Sequence, residues 1–278
     1  FIMNIGVVGL GLIGASLAKS IKKNTSHTVF GLDKDKSTLD FALLGNTVDC
    51  ELNGSNLKLC DYVFIAVYPQ GTIDFVKENK ANFKSGATVI DCGGIKRDIC
   101  RECFLAANDG DFSFIGGHPM AGTQFSGIKY AKNTMFHNAS FVLTPKTGEA
   151  IETVSNARDL IIEIGFSRVT VMSPEEHDRR IAFTSQLAHI VSNAYVKSPE
   201  AKMRSGISAG SYKDLTRVAY LNENMWTELF MDNKDNLCFE IDNLISELKK
   251  YSDAMKENDS DALKKLLKDG REIKEEIG

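Results

Sequence analysis

Ile5-Gly6-Val7-Val8-Gly9-Leu10-Gly11-Leu12-Ile13-Gly14 opens the chain and decides how the rest of it is read. Residues 5–8 form a short apolar run of strand type, and Ala15-Ser16-Leu17-Ala18-Lys19 beyond Gly14 reads as helix. A G-x-G-x-x-G held between strand and helix is a dinucleotide fingerprint. Gly9 permits the tight turn, Gly11 lets a pyrophosphate approach the backbone, and Gly14 lets helix and strand pack closely. The pyrophosphate then lies on free N–H groups at the helix N-terminus, so Leu10, Leu12 and Ile13 join the glycines as cofactor-binding positions. A second strand, Thr28-Val29-Phe30-Gly31-Leu32, ends at Asp33, 19 residues past Gly14. A carboxylate there accepts hydrogen bonds from the adenosine ribose and repels a 2′-phosphate, so NAD is expected rather than NADP. Lys34 and Lys36 read as a solvated helix start.

Strand-like and helix-like segments alternate through the first 170 residues. Further strands are expected at 61–67, ended by Tyr68-Pro69, at 87–91, at 112–116, at 140–144 and at 168–171. This alternation predicts a doubly wound, mostly parallel α/β sheet of Rossmann type, with ligands at the carboxyl ends of the strands. Gly9, Asp33, Tyr68, Gly93 and His118 all fall just after strands and so gather along one sheet edge. Val67, Tyr68 and Gly93 are therefore added to the cofactor-binding set. At Ser173-Pro174-Glu175-Glu176 the pattern changes: Ser173 suits an N-cap, Pro174 the first helical position, and Glu176 a capping box. From there the chain reads as helix, with breaks near Ser198-Pro199, 205–211 and 222–224. A dinucleotide-binding domain over 1–172 and an all-helical substrate-binding and dimerisation domain over 173–278 are expected. Ile241, Leu244, Ile245 and Leu248 form one apolar stripe and Leu263, Leu266, Leu267 and Ile273 another, and a helical half this small buries them better as a homodimer.

The bulk properties narrow the partners. Net charge over 278 residues is −4 with the basic residues dispersed, which points away from nucleic acid. No apolar run reaches the length of a membrane span, and no signal peptide is expected ahead of the first strand. Six cysteines at irregular spacing suit a reducing cytoplasm. Cys100 and Cys103 form a C-x-x-C with no second pair at zinc spacing, so they read as core residues of one helix face and no metal is expected.

Gly116-Gly117-His118-Pro119-Met120-Ala121-Gly122-Thr123 concentrates chemistry in a stretch with little side chain. Pro119 biases His118 towards an extended backbone, and the glycines let a ligand come close. A tight turn with a surface histidine is the competing reading, and the hydride carrier implied upstream weighs against it. In the helical half, Ser185, Gln186 and His189 share a face by offsets of three and four. Arg217 follows the glycine-containing break at 205–211, where a guanidinium can point into a cleft. Trp226, nine residues on, would lie opposite Arg217 if the helix were unbroken. A core histidine, an Asp214–Arg217 ion pair and a core tryptophan are the structural alternatives.

Taken together, the G-x-G-x-x-G, the histidine–proline segment 116–123, Glu176-His177-Asp178, His189 and Asp214-Leu215-Thr216-Arg217 with Trp226 resemble the prephenate dehydrogenase family over essentially the whole chain. The resemblance implies oxidative decarboxylation of prephenate with NAD in tyrosine biosynthesis. It implies His118 as the catalytic histidine, Arg217 as the carboxylate-holding arginine, His189 as a substrate contact, and Trp226 as a residue contributed by the neighbouring subunit. Thr123, from the histidine–proline segment, and Gly210, just ahead of Asp214, complete the implied substrate site. Three positions depart from the family pattern: Gly94 stands where a serine is usual, Gln186 where a histidine is usual, and Gln124 where a glutamate is usual. With the chain ending at Gly278, no C-terminal regulatory domain is expected, nor a chorismate mutase segment ahead of it. Arogenate oxidation on the same scaffold is one alternative. A β-hydroxyacid dehydrogenase would need a base lysine on the helix from Pro174, whose only lysine is the terminal Lys197. A catalytically silent NAD sensor would need neither His118 nor Arg217.

Overall fold

A computed structural model describes residues 2–123, 125–203 and 206–278. Eight strands build one sheet: β1 (Asn4–Val8), β2 (Thr28–Leu32), β3 (Cys50–Glu51), β4 (Tyr62–Ile65), β5 (Ala87–Asp91), β6 (Phe112–Pro119), β7 (Ser140–Pro145) and β8 (Arg168–Val171). Their spatial order is β3-β2-β1-β4-β5-β6-β7-β8, and every pairing is parallel except β6 with β7. The chain leaves β1 towards β2 and returns on the other side at β4, so the topological switch point lies between the carboxyl ends of β1 and β4.

Helices α1 (Leu12–Asn24), α2 (Lys36–Leu44) and α5 (Ile151–Ile164) cover one face, and α3 (Pro69–Asn79) and α4 (Arg97–Asn108) the other. Leu17, Ile21, Ala157, Leu160 and Ile164 pack with Val7, Phe64 and Ile90 on the first face. Ile73, Val76, Ile99, Cys100 and Cys103 pack with Val63, Ile65 and Val89 on the second. Sandwiched on both sides, β4 and β5 are buried at every residue, which is why they read as unbroken apolar runs. Cys100 and Cys103 are indeed core residues of one helix.

Strand β4 covers only Tyr62–Ile65 of the expected 61–67, and two more strands depart from the sequence reading. The two-residue β3 at the sheet edge is too short to carry a period. Strand β6 does not stop at Gly116 but runs through Pro119, so His118 lies inside a strand rather than after one. Pairing with β5 ends at Ile115, but antiparallel pairing with β7 continues through Gly117↔Leu143, His118↔Val142 and Pro119↔Phe141.

From Pro174 on, the described residues form helices and no strands: α6 (Pro174–Ile181), a π segment (Ala182–Leu187), α7 (Ala188–Tyr195), α8 (Gly210–Thr216), α9 (Glu223–Asp232), α10 (Lys234–Lys256) and α11 (Ser260–Ile277). Ser173 caps α6, its hydroxyl accepting the Glu176 N–H at 3.2 Å. The capping box is only half made, since the Glu176 carboxylate pairs with Arg180 at 2.5 Å. The single helix expected over 174–197 is interrupted by the π segment, a wide turn that shifts helical register and recurs at functional sites. No described helix is long and apolar enough to cross a membrane.

Candidate active site

The glycine-rich turn has the shape its composition calls for. Gly9 sits at φ +85°, and a Cβ there would come within 2.6 Å of the Ala66 carbonyl oxygen. A Cβ at Gly14 would overlap the Gly9 carbonyl oxygen, so glycine alone lets α1 start this close to the turn. Around Gly11 there is open space, nothing lying within 4 Å of an added Cβ. No side chain caps α1, which leaves its first N–H groups available to an anion. Leu10 is buried, so its part is played by the backbone, while Leu12, Ile13 and Val67 are half-buried and Tyr68 is exposed at the start of α3. One Asp33 oxygen accepts the Leu10 N–H at 2.8 Å and the other the Asp35 N–H at 2.9 Å. This holds the carboxylate rigid beside the turn, and its remaining lone pairs can accept ribose hydroxyls. The turn, the uncapped helix and the fixed carboxylate all fit a dinucleotide across the switch point.

Two strands along, the end of β6 carries His118. Its Nδ1 lies 2.9 Å from Nε2 of His177 on α6, and Nδ1 of His177 lies 2.7 Å from Oδ1 of Asp178. A carboxylate can only accept, so Nδ1 of His177 carries hydrogen and its Nε2 is an acceptor. Nδ1 of His118 must then donate, which leaves Nε2 of His118 as a free lone pair. Burial above all, then the neighbouring His177 and Lys96, push the His118 pKa well below its usual 6.5, so the ring is neutral, with its lone pair on Nε2. Burial also lowers His177, although its bond to Asp178 works in the opposite direction.

Beneath this row lies a fully buried ion pair, Lys96 with Asp91. Asp91 accepts the Gly117 N–H at 3.0 Å and the Gly93 N–H at 2.8 Å, and Lys96 Nζ donates to the Gly117 carbonyl at 2.6 Å. The peptide groups on both sides of Gly117 are thus clamped, one residue before His118. Asp178 reaches across from the helical half to accept the N–H groups of Lys96 (2.8 Å) and Arg97 (2.9 Å), capping α4 with a carboxylate from 82 residues away. Asn233, also buried, donates to the Asp178 carbonyl and to Gln186 Oε1, both at 2.8 Å. Asp178 enters the sequence reading only within Glu176-His177-Asp178, without a role, and Asp91, Lys96 and Asn233 are given none. The one local signal was a lysine too close to a strand end to be simply solvated.

The remaining positions gather around α7. His189 Nδ1 donates to the Val218 carbonyl at 3.0 Å, and Asn193 Nδ2 to the Ala219 carbonyl at 3.2 Å. These bonds hold the segment that follows Arg217. Arg217 is exposed, and the ion pair with Asp214 that its spacing allows is not formed among the described residues. Trp226 packs on His189 of its own chain with ring centroids 4.2 Å apart. The offset that set Trp226 opposite Arg217 required an unbroken helix, and the chain breaks between α8 and α9. Ser185, Gln186 and His189 do not form one polar cluster either. Gln186 is buried and donates to the Leu229 carbonyl at 2.9 Å, while His189 turns to Val218. Thr123 is exposed and accepts the Phe125 N–H at 3.3 Å, Gly210 starts α8, and Gln124 and Ser205 lie outside the described residues. At Gly94, an added Cβ would touch only the Leu229 side chain, at 3.6 Å. No hydrogen bond or ion pair joins His118 to Arg217 or His189 among the described residues, so a substrate would have to bridge them.

A dinucleotide cradle at a β1/β4 switch point, a neutral imidazole beside it and an exposed guanidinium on a helical segment define a nicotinamide-dependent dehydrogenase. Residues 17–170 match the family model for the prephenate dehydrogenase nucleotide-binding domain, and residues 173–269 that for the prephenate dehydrogenase dimerization domain. The chain belongs to the prephenate dehydrogenase family and is an NAD-dependent oxidoreductase. It is 28% identical to a prephenate dehydrogenase of Bacillus subtilis, over 97% of this chain and 74% of that one. It is 29% identical to a cyclohexadienyl dehydrogenase of Zymomonas mobilis, over 98% and 94%. Its fold matches the prephenate dehydrogenase of A. aeolicus solved with hydroxyphenyl propionate and NAD+, with TM-score 0.87 and 25% identity, covering 100% of this chain and 99% of that one.

Gly14→Ala tests the cradle. The added methyl must displace the Gly9 carbonyl or α1, so NAD affinity is expected to fall at least about tenfold, the equivalent of 1.4 kcal/mol. Calorimetric titration with NAD checks this, and wild-type affinity in the variant would mean that the cofactor binds elsewhere.

Proposed function

We propose that this chain oxidises prephenate to 4-hydroxyphenylpyruvate and carbon dioxide, with His118 as the base. The observation that carries this reading is the 2.9 Å contact of His118 Nδ1 with His177 Nε2, which commits Nδ1 and leaves the Nε2 lone pair to a substrate. NAD, bound by Gly9, Leu10, Gly11, Leu12, Ile13, Gly14, Asp33, Val67, Tyr68 and Gly93, supplies the hydride acceptor. The negative Asp33 favours NAD over NADP, because a 2′-phosphate would meet a carboxylate already held in position.

His118 Nε2 takes the proton of the ring alcohol as the carbon that bears it is oxidised. Arg217 holds the ring carboxylate by a two-pronged charged hydrogen bond, and His189, Trp226, Thr123 and Gly210 line the ring and side chain. Loss of that carboxylate as carbon dioxide makes the ring aromatic, which drives the reaction, so the protein's work is orientation and one proton transfer. Its division near residue 173 into cofactor and substrate domains is part of this reading. So is a homodimer. Ile245, Leu248, Leu267 and Ile273 are each more than half exposed in the single chain, and a second copy would cover them. We assign the protein to the cytoplasm on its six free thiols, of which burial pushes Cys60 and Cys100 up to about 12.

Incubation with NAD and either prephenate or arogenate, followed by NADH absorbance, tests the reading. Prephenate is expected to be turned over, and silence with both substrates would overturn it. Arg217→Ala is expected to raise KM for prephenate about tenfold or more while kcat changes only a few-fold. A wild-type KM in that variant would remove Arg217 from the carboxylate.

A further inference from the structure

The row Asp178–His177–His118 does more than aim one ring. We propose that His118 and His177 form a two-site proton store, in which the proton taken from the substrate alcohol comes to rest on His177 against Asp178 until the ring oxygen takes it back. This deepens the proposed function and rests on it.

The geometry leaves little choice of arrangement. With His177 Nδ1 donating to Asp178 and His118 Nδ1 donating to His177 Nε2, the row has one open acceptor, His118 Nε2. When that nitrogen takes the alcohol proton, the alcohol O–H bond breaks and an N–H bond forms at Nε2. The N–H bond at His118 Nδ1 then breaks, and one forms at His177 Nε2, 2.9 Å away. His118 is neutral again with its hydrogen on Nε2, and the positive charge sits on His177 beside a carboxylate. Once carbon dioxide has left, the ring oxygen carries the electron pair of the broken bond, and the same two steps in reverse return the proton to it as a phenol. No proton is gained or lost over the cycle, which matches a product that keeps its hydroxyl.

The surroundings favour His177 as the resting point. His118 faces the Lys96 ammonium and has no carboxylate partner among the described residues, whereas His177 touches Asp178 at 2.7 Å. Asp178 in turn is held by the Lys96 and Arg97 N–H groups and by Arg97 Nε at 3.4 Å, and Asp91 is taken up by Lys96. Burial and Lys96 lower both rings, but only His177 has a bonded carboxylate raising it. The same arrangement acts as a switch in the resting enzyme. A single proton taken from solvent by His177 makes its Nε2 a donor, so His118 Nδ1 must accept and its remaining hydrogen moves to Nε2. The base is then blocked without His118 itself becoming charged. His177 is in these terms a positioning residue, acting through His118.

Nitrogen-15 NMR of the imidazoles in the free protein tests the store without any turnover, with His118→Asn and His177→Gln assigning the two rings. The expected result is a His118 ring with hydrogen on Nδ1 at pH 8. As the pH falls, His177 should titrate first, and His118 should change to the Nε2–H form in the same step. A His118 ring with hydrogen on Nε2 at pH 8, or one that becomes doubly protonated before His177, would overturn the proposal whether or not prephenate is the substrate. Kinetics give the second measurement. His177→Leu removes the acceptor and is expected to lower kcat about tenfold or more with KM for prephenate within threefold. In His177→Gln the amide oxygen can still accept from His118 Nδ1 but cannot keep a proton. That variant is expected to regain only part of the lost kcat at pH 8, with the acid limb of its pH profile moved to lower pH, and wild-type kcat in it would overturn the store. An acid limb unmoved from wild type, or a His177→Leu enzyme with full kcat, counts against the store.

Discussion

Replacing His118 by asparagine is expected to lower kcat by about 100-fold or more while leaving NAD affinity within a few-fold of wild type. Loss of a positioned general base typically removes a factor of about 10² to 10⁴. Asparagine is the informative replacement because its amide can still donate towards His177 Nε2 yet offers no basic nitrogen to the substrate. The dinucleotide cradle is made by the β1–α1 turn and Asp33, so it is not disturbed. Steady-state kinetics and an NAD titration check both halves, and turnover within threefold of wild type would remove His118 from the chemistry. The pH profile carries a sign. The His118–His177 row must hold no extra proton for Nε2 to accept one, and burial above all lowers both rings from their usual 6.5, so the acid limb of kcat in the wild-type enzyme is expected below pH 6.5. Activity is present above that limb and lost as pH falls through it.

The largest stability effect is expected at Lys96. Lys96→Met leaves the Asp91 carboxylate fully buried with its counter-charge gone, a situation that costs about 3–5 kcal/mol. For a domain of this size that is a fall of about 10 °C in Tm. Combining it with Asp91→Leu removes both charges, and the double variant is expected to be more stable than the Lys96→Met single, because an apolar pair needs no solvation. Thermal unfolding of the two singles and the double closes the cycle. A Lys96→Met chain that melts with the wild type would show that the buried pair is not coupled. Activity in the double variant should stay low, since the clamp on the Gly117 peptide is lost with the charges.

Much of the site was legible before any coordinates because it is written in neighbours. Gly9 and Gly14 could be assigned their tasks from spacing alone, since a positive φ and a missing Cβ are properties of one residue and its turn. Ser173 could be read as an N-cap because the N–H it satisfies belongs to Glu176, three residues on. Arg217 and His189 were legible as odd residues in a helix, but not what holds them. The bond from His189 to the Val218 carbonyl spans 29 residues and leaves no local trace. The intended face shared by Ser185, Gln186 and His189 failed because helical offsets assume a uniform turn, and the π segment changes it. The offset for Trp226 failed for a related reason, the chain between α8 and α9 being broken.

What the amino-acid order determined by itself was the alternation of strand and helix, the cofactor turn, the change to helix at Ser173 and the choice of an imidazole at position 118. Each depends on backbone preferences and on side chains a few residues apart. Tertiary structure alone decided which nitrogen of that imidazole is free, through a ring 59 residues away, and how its peptide is clamped, through a buried ion pair and a carboxylate that caps α4. Protonation and tautomer are set by whatever charge and acceptor lie within about 3 Å, and only the folded chain brings those groups to that distance.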